Sequence, residues 1–128
     1  MSDKILKHGE FCWNELMTGD TSKAASFYTS LFGWQANEMD MGDATYTMFK
    51  SGDADIAGML KIPQGQEGTI PPHWMSYIAV DDVDATLAQA QELGASVAVP
   101  VTPVGDFGRF AVVADPTGAH IAFWQKTA

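Results

Sequence analysis

The feature that most constrains this sequence is that it runs through one plan twice. The segment from Trp13 reads WNELMTGDTSKAASFYTSLFGWQANE, and the segment from Met75 reads MSYIAVDDVDATLAQAQELGASVAVP. Each begins as a strand, reaches an acidic turn at Asp20 or Asp82, continues as a helix and stops at a glycine, Gly33 or Gly94. The two copies are offset by about half the chain, so the repeat is a duplicated supersecondary unit rather than a solenoid. In 128 residues neither copy is long enough to bury a core by itself, and the chain is expected to fold as one domain, residues 1–128.

The first helix is expected over about Thr21 to Leu31. Asp20 or Thr21 can cap it by accepting from free amides of the first turn. Ala24, Phe27, Tyr28, Leu31 and Phe32 fall on one face at helical spacing, and Gly33 can adopt the left-handed conformation that ends it. The second helix runs from about Val83 to Leu93, with Val83, Leu87, Ala90 and Leu93 as its buried stripe and Gly94 behind it. Strands are expected at Trp34 to Asp40, Tyr46 to Lys50 and Ile56 to Leu60. After the second helix come Val97 to Val101, Arg109 to Ala114 and His120 to Trp124. Turns fall at Gly42-Asp43, Gly52-Asp53, Pro103-Val104-Gly105 and Asp115-Pro116-Thr117-Gly118. The stretch IPQGQEGTIPP, Ile62 to Pro72, reads as a linker. The plan is β-α-β-β-β twice, with module one over about 9–61, the linker over about 62–72 and module two over about 73–126.

Alternation along each strand decides which side chains meet a helix. Leu16, Ile78, Val80, Ile121 and Phe123 suit burial under the helices, and in the fourth strand the same division puts Ile56, Gly58 and Leu60 there. The opposite face then carries Trp13, Glu15, Met75, Tyr77, His120 and Trp124, with Asp55, Ala57 and Met59 from the fourth strand. Two curved mixed sheets with helices outside can curl these faces into a cup. An apolar cup with a few polar groups is the usual form of a small-ligand site. The plain alternative is that Trp13, Tyr77 and Trp124 are core or interface aromatics.

Composition narrows the function classes. The net charge is −9, which repels phosphate backbones and anionic lipids and argues against nucleic acid or membrane partners. No apolar run is long enough to span a bilayer, the stretch MSDKILKHGE lacks the apolar segment of a signal peptide, and Cys12 is a lone cysteine. These features predict a cytoplasmic protein in a reducing compartment. Cys12 reads as an inert thiol facing the helix side. No P-loop, GxGxxG, GxSxG or HExxH is present. Arg109 fits either an anionic ligand group or a surface carboxylate, and His8 and His73 read as exposed.

The duplicated plan, FYTSLFGW at the end of the first helix, VDDVDA before the second and the closing DPTGAHIAFW together resemble the vicinal oxygen chelate superfamily of glyoxalases, bleomycin-resistance proteins and extradiol dioxygenases. The resemblance covers nearly the whole chain. It implies an α+β fold with the cup described above. In the metal-dependent members, His, Glu or Gln side chains on the first and last strands of each module hold a divalent metal. Here those positions carry Trp13, about Ala57, Met75 and Ala122, none of them a good ligand for such an ion.

The resemblance therefore implies a metal-independent protein without cofactor. It would bind a small apolar or aromatic organic ligand through Trp13, Glu15, Met75, Tyr77, His120 and Trp124, as a resistance-type binder or as a lyase or isomerase. Glu15, His120 and Tyr77 are the candidate catalytic groups, with Glu15 and His120 a conceivable acid–base pair. Two other readings stay open: a metalloenzyme using a shifted Glu15, Asp55 and His120 set, and a non-catalytic dimer whose aromatics form its interface. A homodimer is expected, since exposed sheet edges and aromatic faces gain by being covered.

Overall fold

A computed structural model describes residues 6–41, 44–63 and 70–127. The elements follow the doubled plan: β1 (Phe11–Thr18), α1 (Thr21–Phe32), β2 (Gln35–Asp40), β3 (Thr45–Ser51), β4 (Ala54–Lys61), β5 (His73–Ala79), α2 (Val83–Glu92), β6 (Ser96–Val104), β7 (Gly108–Ala114) and β8 (His120–Lys126). The fold is α+β, with eight strands in a mixed sheet and two helices. The Gly42-Asp43 turn and most of the proposed linker lie outside the described residues.

Both helices start as the sequence dictates. The Asp20 carboxylate accepts from the Lys23 amide at 3.0 Å, and the Asp82 carboxylate accepts from the Ala85 amide at 3.1 Å. Each bond satisfies one of the amides that a first turn leaves without an intrahelical partner. Gly33 closes α1 at φ 73°, a left-handed backbone that glycine adopts without a Cβ penalty.

The chain forms two compact units. The first is Asn14–Trp74, with strand order β2-β3-β4-β1 and β1 parallel to β4. Its core is Leu16, Phe49, Ala57 and Met59, with Ala24, Ala25 and Tyr28 of α1 packed on it together with Trp34 and Ile56. Small alanines let α1 lie close to the strands. The second unit is Met75–Ala128 with the chain up to Trp13, and its order is β5-β8-β7-β6. The leading residues belong there because Gly9 N donates to Ala79 O at 2.7 Å and Ala79 N to Glu10 O at 2.8 Å. Its core is Val80, Val83 and Ala111, with Ile78, Leu87, Val101 and Phe123 against it. Burying side chains of this size contributes roughly 1.5–3 kcal/mol each.

Three expectations change. Phe27, Leu31 and Phe32 are more than half exposed, because α1 seats itself through Ala24, Ala25 and Tyr28 and turns the larger side chains outward. Leu93 is also exposed; it is the C-cap of α2, past the last helical turn. In β4 Ile56 lies on the helix side as expected, and the faces are reversed beyond it. The register steps from Lys50↔Asp55 to Phe49↔Ala57, so Ile56 is an extra residue in the ladder. Such a bulge flips the alternation beyond it. Ala57 and Met59 consequently join the helix-side core, and Gly58 faces the other way.

Candidate functional site

The face of each unit that carries no helix holds the residues expected of a site. In the first unit its centre is Glu15, 8 % exposed on β1. Tyr46 on β3 is buried too, and its hydroxyl donates to Glu15 Oε2 at 2.9 Å. Between them runs β4, with Gly58 as the register partner of both Glu15 and Met48. Two strand spacings, roughly 10 Å, separate the backbones of β3 and β1. The tyrosine spans that gap by lying over Gly58, where a Cβ would overlap its hydroxyl and ring. A glycine inside a strand often marks such a close approach.

A carboxylate removed from water costs several kcal/mol unless charge-compatible donors meet it. The Tyr46 hydroxyl is one such donor, and it fixes the carboxylate as an acceptor. Sequence reading placed Glu15 on this face and missed Tyr46. The signal was available: Tyr46, Met48 and Lys50 alternate with the core residue Phe49, and the interior glycine of β4 leaves room for a large neighbour.

Asp55 has a different role from the one the shifted metal set required. Lys50 Nζ stands 2.7 Å from Asp55 Oδ1, an oxygen shut off from solvent, and the ammonium offsets its burial. Among the described residues, no group of three or more His, Cys, Asp or Glu side chains is placed to hold a metal ion. Within its unit Asp55 is engaged by Lys50, and the positions at which the resemblance places metal ligands carry Trp13, Ala57, Met75 and Ala122.

In the second unit Trp13, Met75, Tyr77, Ala122 and Trp124 are all buried. Alternation with Ile78 and Phe123, which lie in the helix-side core, puts Tyr77 and Trp124 on the opposite face. Tyr77 meets Phe110 edge-on at 6.3 Å between ring centroids. A Cβ at Gly108 would overlap the backbone carbonyl of Gln125 and then, at 2.7 Å, meet the Trp124 ring. His120 opens β8 and is exposed, unlike the other proposed contacts.

Arg109 takes the surface-carboxylate alternative: Nη1 lies 2.9 Å from Asp84 Oδ2, and Nη2 donates to Gln125 Oε1 at 3.0 Å. The Gly105–Phe107 stretch is the β6–β7 hairpin turn, with Val104 paired to Gly108. Cys12 is half-buried. The Asp115 carboxylate accepts from the Thr117 hydroxyl at 2.7 Å, Thr117 N at 2.8 Å and Ala119 N at 3.1 Å. These bonds, the Thr117 hydroxyl first, hold its carboxyl below the ordinary aspartate value.

Among the described residues, no helix is long and apolar enough to cross a membrane.

Comparison with known proteins gives the lineage. CFP32 of Mycobacterium tuberculosis, a candidate glyoxylase, is 41% identical over 115 residues, covering 88% of this chain and 44% of that protein. The anthracycline biosynthesis protein DnrV of Streptomyces peucetius is 34% identical over 130 residues, covering 92% of this chain and 47% of that protein. The chain therefore spans about half the length of the curated relatives it matches. Methylmalonyl-CoA epimerase from Mycobacterium tuberculosis shares the fold at a TM-score of 0.67 and 12% identity, covering 98% of this chain and 95% of its own. The family profile matches residues 9–123, and the chain belongs to the Glyoxalase/Bleomycin resistance protein/Dioxygenase superfamily.

Proposed function

We propose that this protein binds a small organic ligand, apolar or aromatic, on the faces of its strands that carry no helix, and does so without a metal ion. The observation that carries this reading is the buried Glu15 carboxylate, held by the Tyr46 hydroxyl on a face of the sheet that packs no helix. A buried carboxyl group on a strand face is costly to keep, which makes it a candidate functional group. Within the second unit Trp13, Met75, Tyr77 and Trp124 would supply apolar and stacking contact, with His120 an exposed group on β8; within the first, Glu15 would supply a polar contact. DnrV is named for anthracycline biosynthesis. Anthracyclines are fused-ring aromatics, which suits tryptophan and tyrosine contacts. The reading extends to catalysis in one respect: a carboxylate fixed as an acceptor can take up a ligand proton, the step a lyase or isomerase needs.

The test is titration of the purified protein with planar aromatic compounds, neutral and cationic, followed by tryptophan fluorescence and repeated with Trp13→Ala and Glu15→Gln. Saturable quenching that weakens in either variant supports the site. Binding of equal strength in both would remove it from this face. Elemental analysis runs in parallel. A stoichiometric divalent metal whose chelation abolishes binding would replace this reading with the metalloenzyme one.

A further inference from the structure

We propose that Lys50 orients the ligand on the first unit by donating to a neutral carbonyl oxygen, a step that rests on the ligand reading above. Lys50 alternates with the core residue Phe49, so it shares the helix-free face with Tyr46 and Met48. Asp55 is its register partner on β4. The Asp55 carboxylate holds the ammonium at 2.7 Å, and the two side chains are 31 % (Lys50) and 23 % (Asp55) exposed. Among the described residues Lys50 is the one basic group on this face. β1 brings Glu15 to it, β2 brings Gln35 and Asn37, and β4 brings Asp55 and Gly58. The bulge at Ile56 makes the set. In a regular strand Asp55 and Gly58, three residues apart, would point to opposite faces. The extra residue puts both on this one, Asp55 beside Lys50 and Gly58 beneath Tyr46. Bulges recur beside active sites, where they re-aim a side chain.

Charge selects the ligand group. A partly buried ion pair contributes little to stability, because the water lost by both charges offsets their attraction. What it supplies here is a fixed donor. An ammonium has three N–H groups, more than one carboxylate oxygen takes, and nearly a third of the lysine side chain stays open. A ligand anion gains little at this place. Lys50 and Asp55 are neutral as a unit, Glu15 lies on the same face, and the chain carries −9. A carbonyl oxygen adds no charge and accepts a charge-assisted bond, which is stronger than one between neutral groups. Glu15, Gly58 and Met48 form one rung across the strands, and Lys50 is two residues further along β3, roughly 7 Å. A fused-ring molecule can cover both, with its carbonyl at Lys50 and a donor toward Glu15. Asp55 is then a positioning residue that holds the ammonium in place.

Three matched probes test this on the full chain: ethylnaphthalene, acetylnaphthalene and naphthoate, each titrated by NMR. Acetylnaphthalene should bind about tenfold more tightly than ethylnaphthalene, and naphthoate no more tightly than acetylnaphthalene. The carbonyl stretch of bound acetylnaphthalene should move to lower frequency in the infrared. In Lys50→Met both signatures should vanish, so that the ketone and the hydrocarbon bind alike. That variant leaves the Asp55 carboxylate without its counter-ion, so Lys50→Met combined with Asp55→Leu, which removes both charges, carries the test if the single variant does not fold. Equal binding of ketone and hydrocarbon to the wild-type protein overturns the proposal and leaves the ligand reading standing. A ketone preference that survives the variants, or naphthoate binding more tightly than the ketone, also overturns it. Saturable binding of none of the three overturns the ligand reading and this proposal with it.

Discussion

Tyr46 reaches over a whole strand to hydrogen-bond Glu15, and it can do so only because Gly58 lies beneath it. The two residues belong to strands that are not neighbours, so the bond ties β3 to β1 independently of the ladder between them. Removing its donor should be costly. Tyr46→Phe keeps the ring over Gly58 and leaves the buried carboxylate short of one partner, with an expected loss of about 1–3 kcal/mol. Urea denaturation measures it. A double-mutant cycle with Glu15→Gln should show coupling of at least about 0.5 kcal/mol. Strict additivity would mean that the bond contributes nothing.

Gly58→Ala should destabilise the protein for a steric reason. The added methyl overlaps the Tyr46 hydroxyl and ring, and overpacking of this kind costs about 1–3 kcal/mol. Tyr46→Ala in the same chain removes the obstacle. The alanine at position 58 should then be close to neutral, since it replaces the most flexible residue in a strand. Thermal melts of the two single variants and the double decide the point. A Gly58→Ala penalty that persists beside Tyr46→Ala would place its cause elsewhere.

What was legible in the sequence was local. Asp20 and Asp82 cap, Gly33 stops a helix, and Leu16, Ile78 and Phe123 alternate onto the helix side, because each of these depends on a few adjacent residues. The Glu15 face followed from the same alternation. The bulge at Ile56 was not legible. Nothing in ADIAGMLK distinguishes a regular strand from one with an extra residue, and one extra residue exchanges Ala57 for Gly58 at the face. Tyr46 escaped for a related reason, since its partner is 31 positions away and the space between them depends on that bulge. Phe27 and Leu31 have helical spacing suited to burial, but spacing cannot say which of several apolar side chains the sheet receives.

The turn Asp115-Pro116-Thr117-Gly118 gives a pH prediction. Three bonds favour the Asp115 carboxylate over its acid, so its folded pKa lies below its unfolded one. The folded state is then favoured by this group above the unfolded pKa, and that contribution is lost as pH falls through the folded value. Carboxyl titration followed by NMR should find Asp115 ionised at pH values where ordinary aspartates are already protonated. Thr117→Ala removes the leading cause and should move the midpoint upward. An unchanged midpoint would assign the shift to the backbone amides alone.

Gln125 and Arg109 should differ in weight although they touch each other. Gln125 Oε1 accepts from Val83 N at 2.8 Å, the first amide of α2, and from Arg109 Nη2 at 3.0 Å. Val83 is fully buried, so without Gln125 its amide loses a partner that water is poorly placed to replace. Gln125→Ala should cost about 1–2 kcal/mol, the range for a lost helix cap. Arg109→Ala removes the guanidinium's hydrogen bond to Gln125 and an ion pair with Asp84 whose side chains are 39 and 60 % exposed, a pairing worth about 0–1 kcal/mol. High salt should weaken the arginine's share and leave the glutamine's nearly unchanged, because screening acts on the exposed charges. Denaturant midpoints of both variants at low and high salt provide the comparison. An arginine effect equal to the glutamine effect at high salt would show that Arg109 holds Gln125 in its capping position.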